Sequence, residues 1–229
     1  MGRHLVFDLL AVALAFCATA AMWFWRLKER PHPARNAAEG YATALAAGVM
    51  LGSYCLGTAN LWLSGMPIIG RSILGALAGG IVSVELWKHA RGIRESTGLL
   101  FVPTFTVLVM VGRIGCLLSG LEDNTYGLPT DLPWGWDFGD GISRHPVAAY
   151  ESISMALWFV VVLVTFGRRS PFFMANGFYL TTGYYAAQRF VGEFFKPYAP
   201  VLGPFNLFHI ASMMLLLYSV AMIRKARAT

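Results

Sequence analysis

Seven long apolar runs divide this chain, and they constrain its fold more than any other feature. They extend from Leu5 to Trp25, Tyr41 to Leu61, Ser72 to Trp87, Leu99 to Leu118, Val147 to Phe166, Phe172 to Arg189 and Phe205 to Ile223. A helix of about 20 residues crosses the hydrocarbon of a bilayer. Within lipid, only helices and closed barrels satisfy every backbone hydrogen bond. Only 13% of the residues are charged, about half the share in an ordinary soluble domain. The fold class expected is therefore all-α, a polytopic membrane protein with seven transmembrane helices. One compact unit over residues 1–229 accounts for the length and leaves no room for a second soluble domain.

The formal net charge of +6 would suggest nucleic acid in a soluble protein. Here twelve of the eighteen Lys and Arg fall in four clusters: Arg26, Lys28, Arg30 and Arg35; Lys88, Arg91 and Arg94; Arg168 and Arg169; Arg224, Lys225 and Arg227. They follow alternate runs, as cytoplasmic connections do. The charge therefore reads as topology and implies no nucleic-acid partner. With the clusters inside, the N-terminus is periplasmic and the C-terminus cytoplasmic. The first run contains Leu14-Ala15-Phe16-Cys17, close to a lipoprotein cleavage box, but Phe16 is too bulky before such a cysteine. Trp23 and Trp25 give this run an interfacial belt, and it reads as an uncleaved helix. The three cysteines fit neither a zinc site nor a disulfide framework.

Between the fourth and fifth runs lies the one long connection, residues 119–146, on the periplasmic side. Pro129, Pro133, Pro146 and repeated glycines stop any helix there, while Trp134 and Trp136 argue against disorder. A compact, turn-rich cap on the membrane surface is expected. The small face at Gly75, Ala76 and Gly79, and its counterpart at Gly48, Gly52 and Ser53, favour close helix packing over lipid contact.

The ionisable residues near this connection are the candidate chemistry, because charge at membrane depth is expensive and marks function. Arg113 ends the fourth run, Arg144 and His145 precede the fifth, and Tyr150 and Glu151 follow within its first turns. Arg189 and Glu193 are four apart and share a helical face. They can be a plain ion pair, or Arg189 can join Arg113 as a phosphate receptor, since the planar guanidinium fork matches phosphate oxygens. His145 is the one histidine of this stretch and has the right intrinsic pKa for proton transfer, although a histidine in a turn can equally be a packing group. Glu151, at the top of an apolar helix, needs a cationic partner. The five acids Glu122, Asp123, Asp131, Asp137 and Asp140 match no calcium loop. No metal or cofactor is called for.

In Gly112-Arg113-Ile114-Gly115, Leu132-Pro133-Trp134-Gly135, Arg144-His145-Pro146 with Tyr150-Glu151, and Arg189 with Glu193-Phe194-Phe195, the chain resembles prolipoprotein diacylglyceryl transferases of the bacterial inner membrane. The resemblance covers roughly residues 70 to 215. It implies transfer of the diacylglyceryl group of phosphatidylglycerol, or a related anionic phospholipid, to the thiol of a lipobox cysteine. Prolipoprotein signal peptides are then the candidate acceptors. It also implies Arg113, Arg189, Glu193 and His145 as catalytic residues, and Gly112, Gly115, Gly120, Tyr126, Gly127, Arg144, Tyr150 and Glu151 as substrate-binding residues. The departures are specific. Leu74-Gly75-Ala76 stands where the family has His-Gly-Gly, Cys116 where it has asparagine, and Phe7 where it has tyrosine, and Gly120 to Gly127 is about two residues longer. A different acceptor, or a lipid-binding protein that has lost catalysis, are the competing readings; a small transporter would need broken helices in paired halves.

Overall fold

The computed structural model describes residues 2–28 and 38–228; Arg30 and Arg35 of the first basic cluster lie outside them. Among the described residues seven α-helices form: α1 Gly2–Met22, α2 Ala38–Leu63, α3 Ile73–Ala90, α4 Phe101–Ser119, α5 Val147–Gly167, α6 Pro171–Glu193 and α7 Leu207–Ala228. A π-type turn, closed by Lys28 N to Trp23 O at 3.0 Å, extends α1. Among the described residues five stretches are long and apolar enough to cross a membrane: Leu5–Leu27, Ala38–Leu63, Phe101–Glu122, Val147–Gly167 and Leu207–Ala226. The other two helices, α3 and α6, do not combine that length with that hydropathy. Polar side chains of α6 are turned inward: Asn176, Thr181, Thr182, Arg189 and Glu193 are all buried.

The bundle wears its apolar surface outside. Phe16, Phe24, Leu51, Leu157 and Met214 are largely exposed, far more apolar surface than a soluble monomer shows. Inside, Leu74, Val109, Met155, Tyr185, Phe208 and Leu215 join α3 to α7 in one core cluster. A second, Met22, Val102, Val162, Phe166 and Phe173, ties the end of α1 to α4, α5 and α6. The α2–α3 pair approaches backbone to backbone. A Cβ on Gly52 would run into the Gly75 carbonyl and one on Gly79 into the Gly48 carbonyl, so the small-residue face is a helix-packing seam. Ser72 caps α3 by accepting from Gly75 N at 3.1 Å.

The long connection is turn-rich, as its prolines and glycines dictate. A single 3₁₀ turn, Gly120–Asp123, ends in Asn124, whose φ of 51° is left-handed. Asparagine tolerates that region better than most residues. Strand β1 (Trp136–Asp137) pairs antiparallel with β2 (Ser143–Arg144), Trp136 opposite Arg144. Asp137 Oδ1 organises the loop between them, accepting from the backbone N–H of Gly139, Asp140 and Gly141 at 2.8, 3.2 and 3.1 Å. Two hydrogen bonds strap this cap to the segment after α6: Leu128 N to Phe195 O at 2.7 Å and Tyr198 Oη to Asn124 O at 2.8 Å.

Candidate active site

Three helices each bring one charged group to the same point. Arg113 sits near the end of α4, Glu151 in the second turn of α5 and Arg189 near the end of α6. Arg113 Nε and Arg189 Nη1 approach the two carboxylate oxygens of Glu151, at 2.5 Å each. Arg189 Nη2 also reaches Glu193 Oε1 at 2.8 Å, the i,i+4 contact expected along α6. Lys196, just beyond α6, closes the network at 3.0 Å from Glu151 and 3.4 Å from Glu193. All five side chains are 5% exposed or less. Isolated charges so deep would be prohibitive, and mutual pairing with hydrogen bonds is what permits them. Burial, then the nearby Arg189, pushes the Lys196 ammonium below its usual range, against the pull of Glu151 and Glu193.

The far side of the network is held by the start of α7. Asn206 donates its Nδ2 to Glu193 Oε2 at 3.2 Å while its Oδ1 accepts from His209 N at 2.9 Å. His209 Nδ1 returns the contact, accepting from Asn206 N at 3.1 Å, so one reciprocal cap starts α7 and orients Glu193.

Arg113 and Arg189 also face a cavity of about 810 Å³ that runs between the helices, near the upper end of the range for small-molecule sites. Gly112, Cys116 and Arg71 share that wall, and apolar side chains from α1, α2, α3 and α4 form most of the rest. A Cβ on Gly112 would meet nothing within 4 Å, so the backbone beside Arg113 is open. Two guanidinium groups held by carboxylates behind them, at the head of a largely apolar chamber, have the chemistry to pair with an anionic group attached to an apolar chain. Among the described residues no group of His, Cys, Asp and Glu is arranged to hold a metal.

The other residues singled out from sequence fall into two places. Gly115 is buried in α4, where its carbonyl accepts from Ser119 Oγ at 2.7 Å. The rest belong to the cap, apart from Tyr150 in the first turn of α5. Arg144 makes a two-point pair with Asp140, 2.6 and 2.7 Å, and lies over the Tyr126 ring at 5.4 Å. It is thus held in the hairpin and does not join Arg113. Asp140, in turn, is held below the usual carboxylate range by its hydrogen bond from Arg144. His145 packs on Phe195 with ring centres 5.0 Å apart, and its Nδ1 is 3.5 Å from Tyr150 Oη. Tyr150 in turn receives Trp134 Nε1 at 2.8 Å. Gly120 turns the chain with φ of 70°, and Gly127 is pressed against His145, with no room for a Cβ. Of the twelve residues, Gly112, Arg113 and Arg189 line the cavity.

A family model described as prolipoprotein diacylglyceryl transferase matches residues 9–224. The chain belongs to this family. The phosphatidylglycerol-prolipoprotein diacylglyceryl transferase of Methylococcus capsulatus is 32% identical over 142 residues, 60% of this chain and 50% of that protein. The proteins of the same name from Geobacter sulfurreducens and Cupriavidus pinatubonensis are 29% and 30% identical, over 71% and 88% of this chain and 62% and 80% of theirs. The match thus spans about half the length of the Methylococcus relative. No solved structure matches the chain.

Three positions where this member of the prolipoprotein diacylglyceryl transferase family departs from the expected motifs acquire a location. Leu74 is fully buried in the main core cluster, Cys116 is a buried thiol on the cavity wall with Arg113 Nη1 4.0 Å away, and Phe7 packs beside Ala11 and Val107. The longer Gly120 to Gly127 segment contains the 3₁₀ turn and the left-handed Asn124. Sequence reasoning missed Lys196 and Asn206. Lys196 follows Glu193 by three residues, a spacing that carried a signal. Asn206-Leu207-Phe208-His209 at the start of an apolar run is a readable N-cap, though its side chain's second contact to Glu193 is not.

Proposed function

We propose that this protein transfers a diacylglyceryl group from phosphatidylglycerol to the cysteine thiol of a prolipoprotein signal peptide. The observation that carries the reading is the pair Arg113 and Arg189, both braced by Glu151 and both facing an apolar cavity. The phosphate would lie against the two guanidinium groups with the acyl chains in the cavity. In the reaction a thiolate attacks the glyceryl carbon bearing the phosphate; the C–S bond forms as the C–O bond breaks, and glycerol phosphate leaves with the bonding pair. The arginines stabilise charge as it builds on the leaving phosphate, the electrostatic assistance that dominates such reactions. Glu193 and Glu151 keep both guanidinium planes aimed.

An acceptor thiol has an unperturbed pKa near 8.5, so a group that takes its proton accelerates the step. His145 is the proposed proton acceptor. It lies outside the cavity wall, beside Tyr150 and Phe195, so this role requires the thiol to arrive from the cap side, guided by Arg144, Tyr126, Gly120 and Gly127. The Gly112 to Gly115 turn gives the headgroup its backbone approach. In this reading the chain is a single seven-span unit of the bacterial inner membrane. Its N-terminus and its cap, residues 119–146, face the periplasm, and its C-terminus faces the cytoplasm.

Leu74 in the core, with no histidine there, favours one second reading: the same donor with a different acceptor. Purified protein given headgroup-labelled phosphatidylglycerol, with and without a lipobox peptide, separates the two. Release of labelled glycerol phosphate that depends on the peptide supports the thiol acceptor. Release with cell extract but not with peptide selects the second reading, and no release with either refutes both. His145→Ala should slow peptide-dependent release more than His89→Ala.

A further inference from the structure

The cavity has a second end, chemically unlike the first. On α3, Glu85 Oε1 accepts from Tyr218 Oη at 3.1 Å and pairs with Lys88 Nζ at 2.9 Å, and Lys88 is 1% exposed. Beside them Tyr41 Oη donates to Thr97 Oγ1 at 3.1 Å, and the Tyr179 and Tyr218 rings meet edge to face at 5.9 Å. Glu85, Tyr41, Thr97, Tyr179 and Tyr218 all line the cavity. Between this polar group and the arginines the wall is apolar, with Ala76, Leu77, Ile81, Phe105 and Leu108 facing in. Nothing in the transferase reading uses the polar end.

Helix geometry gives the distance between the two ends. Along α4, Arg113 is twelve residues from Phe101, whose ring stacks on Tyr41; at 1.5 Å per residue that is about 18 Å. Along α6, Arg189 is ten residues from Tyr179, about 15 Å. A bilayer's hydrocarbon is about 30 Å thick, so the chains of one leaflet reach about 15 Å. The apolar shaft is therefore one leaflet deep.

We propose that Glu85, Lys88 and Tyr218 form the floor of an acyl shaft that sets an upper limit on the chain length of the donor lipid. The inference rests on the reading that puts the donor's phosphate at Arg113 and Arg189. A chain that stops above the floor fits without disturbing it. A longer one separates Lys88 from Glu85, leaving a buried ammonium without its partner, or parts the half-buried Tyr218 hydroxyl from Glu85. Because an acyl chain leaves one apolar medium for another, each added methylene gains little inside the shaft. Selection is consequently one-sided, against long chains and indifferent to short ones.

The test offers purified protein an equal mixture of dilauroyl, dipalmitoyl and dibehenoyl phosphatidylglycerol in detergent micelles. Retained lipid is read by mass spectrometry, and glycerol phosphate release is followed in parallel samples supplied with the lipobox peptide or with cell extract. The unmodified protein should retain the two shorter species equally and the dibehenoyl species about tenfold less, roughly the worth of one buried hydrogen bond. Tyr218→Ala, which opens the floor, should restore the dibehenoyl lipid to near parity. Ile81→Phe, which narrows the shaft about 6 Å above Glu85 along α3, should move the exclusion down to the dipalmitoyl lipid, and it carries the test alone if Tyr218→Ala does not fold. Equal retention of all three lipids by the unmodified protein, or one unchanged profile in every variant that folds, overturns the floor. Chain-selective retention without glycerol phosphate release would sustain the floor while refuting the transferase reading; release with a flat profile would do the reverse.

Discussion

Two arginine–carboxylate arrangements in this molecule use the same chemistry in opposite settings. Within the bundle, Arg113, Arg189 and Lys196 converge on Glu151 and Glu193, all nearly inaccessible. In the cap, Arg144 grips Asp140 with better bidentate geometry, but Asp140 remains 29% exposed. The cap pair is local, four residues apart in one hairpin. The bundle network is drawn from three helices and a connection. The difference teaches that geometry alone does not rank an ion pair. Surface pairs contribute little because water competes for both partners, whereas removing one member of a buried network strands the others.

Removing the hub should have the largest effect. Glu151→Ala leaves two guanidinium groups and an ammonium facing one remaining carboxylate. It should destabilise the protein by about 3–5 kcal/mol, read as a lowered thermal midpoint in detergent; an unchanged midpoint would put the network on a par with the cap. Next come Arg113→Lys and Arg189→Lys, which keep charge but lose the fork. Each should raise the barrier to phosphatidylglycerol turnover by about 2–4 kcal/mol, a fall of roughly thirty- to a thousand-fold, and undiminished rates in both would remove the arginines from the reaction. Lys196→Met should cost less than the hub, because both arginines still cover Glu151. A drop in midpoint as large as that of Glu151→Ala would contradict this order.

The smallest effect belongs to the cap. Asp140→Asn should leave turnover within about twofold, as expected of a surface substitution. Its pH dependence has a definite sign. Arg144 lowers the folded-state pKa of Asp140, so the pair's contribution is present above the ordinary carboxylate value, about 3.9, and is lost as pH falls below it. Trp134 and Trp136 fluorescence should be flat from neutral pH to about 5 and change only in stronger acid. A transition near neutrality would show that some other group holds the hairpin.

Much of the bundle was legible in the sequence because an apolar run in lipid has few alternatives. The run from Val147 to Phe166 became Val147–Gly167, and that from Leu99 to Leu118 became Phe101–Ser119. Glycine spacing in α2 and α3 announced their close seam. The site was legible as a roster and less so as an arrangement. Arg189 and Glu193 could be paired by helix periodicity, but the meeting of Glu151 with both arginines depends on how α4, α5 and α6 pack, which no local spacing encodes. Arg144 illustrates the converse. The resemblance places it with the substrate-binding residues, and nothing local in the sequence shows that Gly139 and Gly141, with φ of 101° and 78°, turn the hairpin so that Arg144 pairs with Asp140. Lys196 escaped notice because it follows the end of a helix, where a lysine ordinarily extends into water.

The reciprocal cap between Asn206 and His209 carries a consequence for biogenesis. The members of the charge network emerge from the ribosome in the order 113, 151, 189, 193, 196, and Asn206, which orients Glu193, comes last. At about 5–20 residues per second, the 93 residues between Arg113 and Asn206 take roughly 5 to 20 seconds to make. Throughout the first part of that interval Arg113 is in the membrane with no Glu151 yet synthesised. Its place six residues from the end of α4 allows the side chain to stay at the water interface while it waits. The charge network therefore has its full set of partners only once the start of the last helix, with Asn206, has been made.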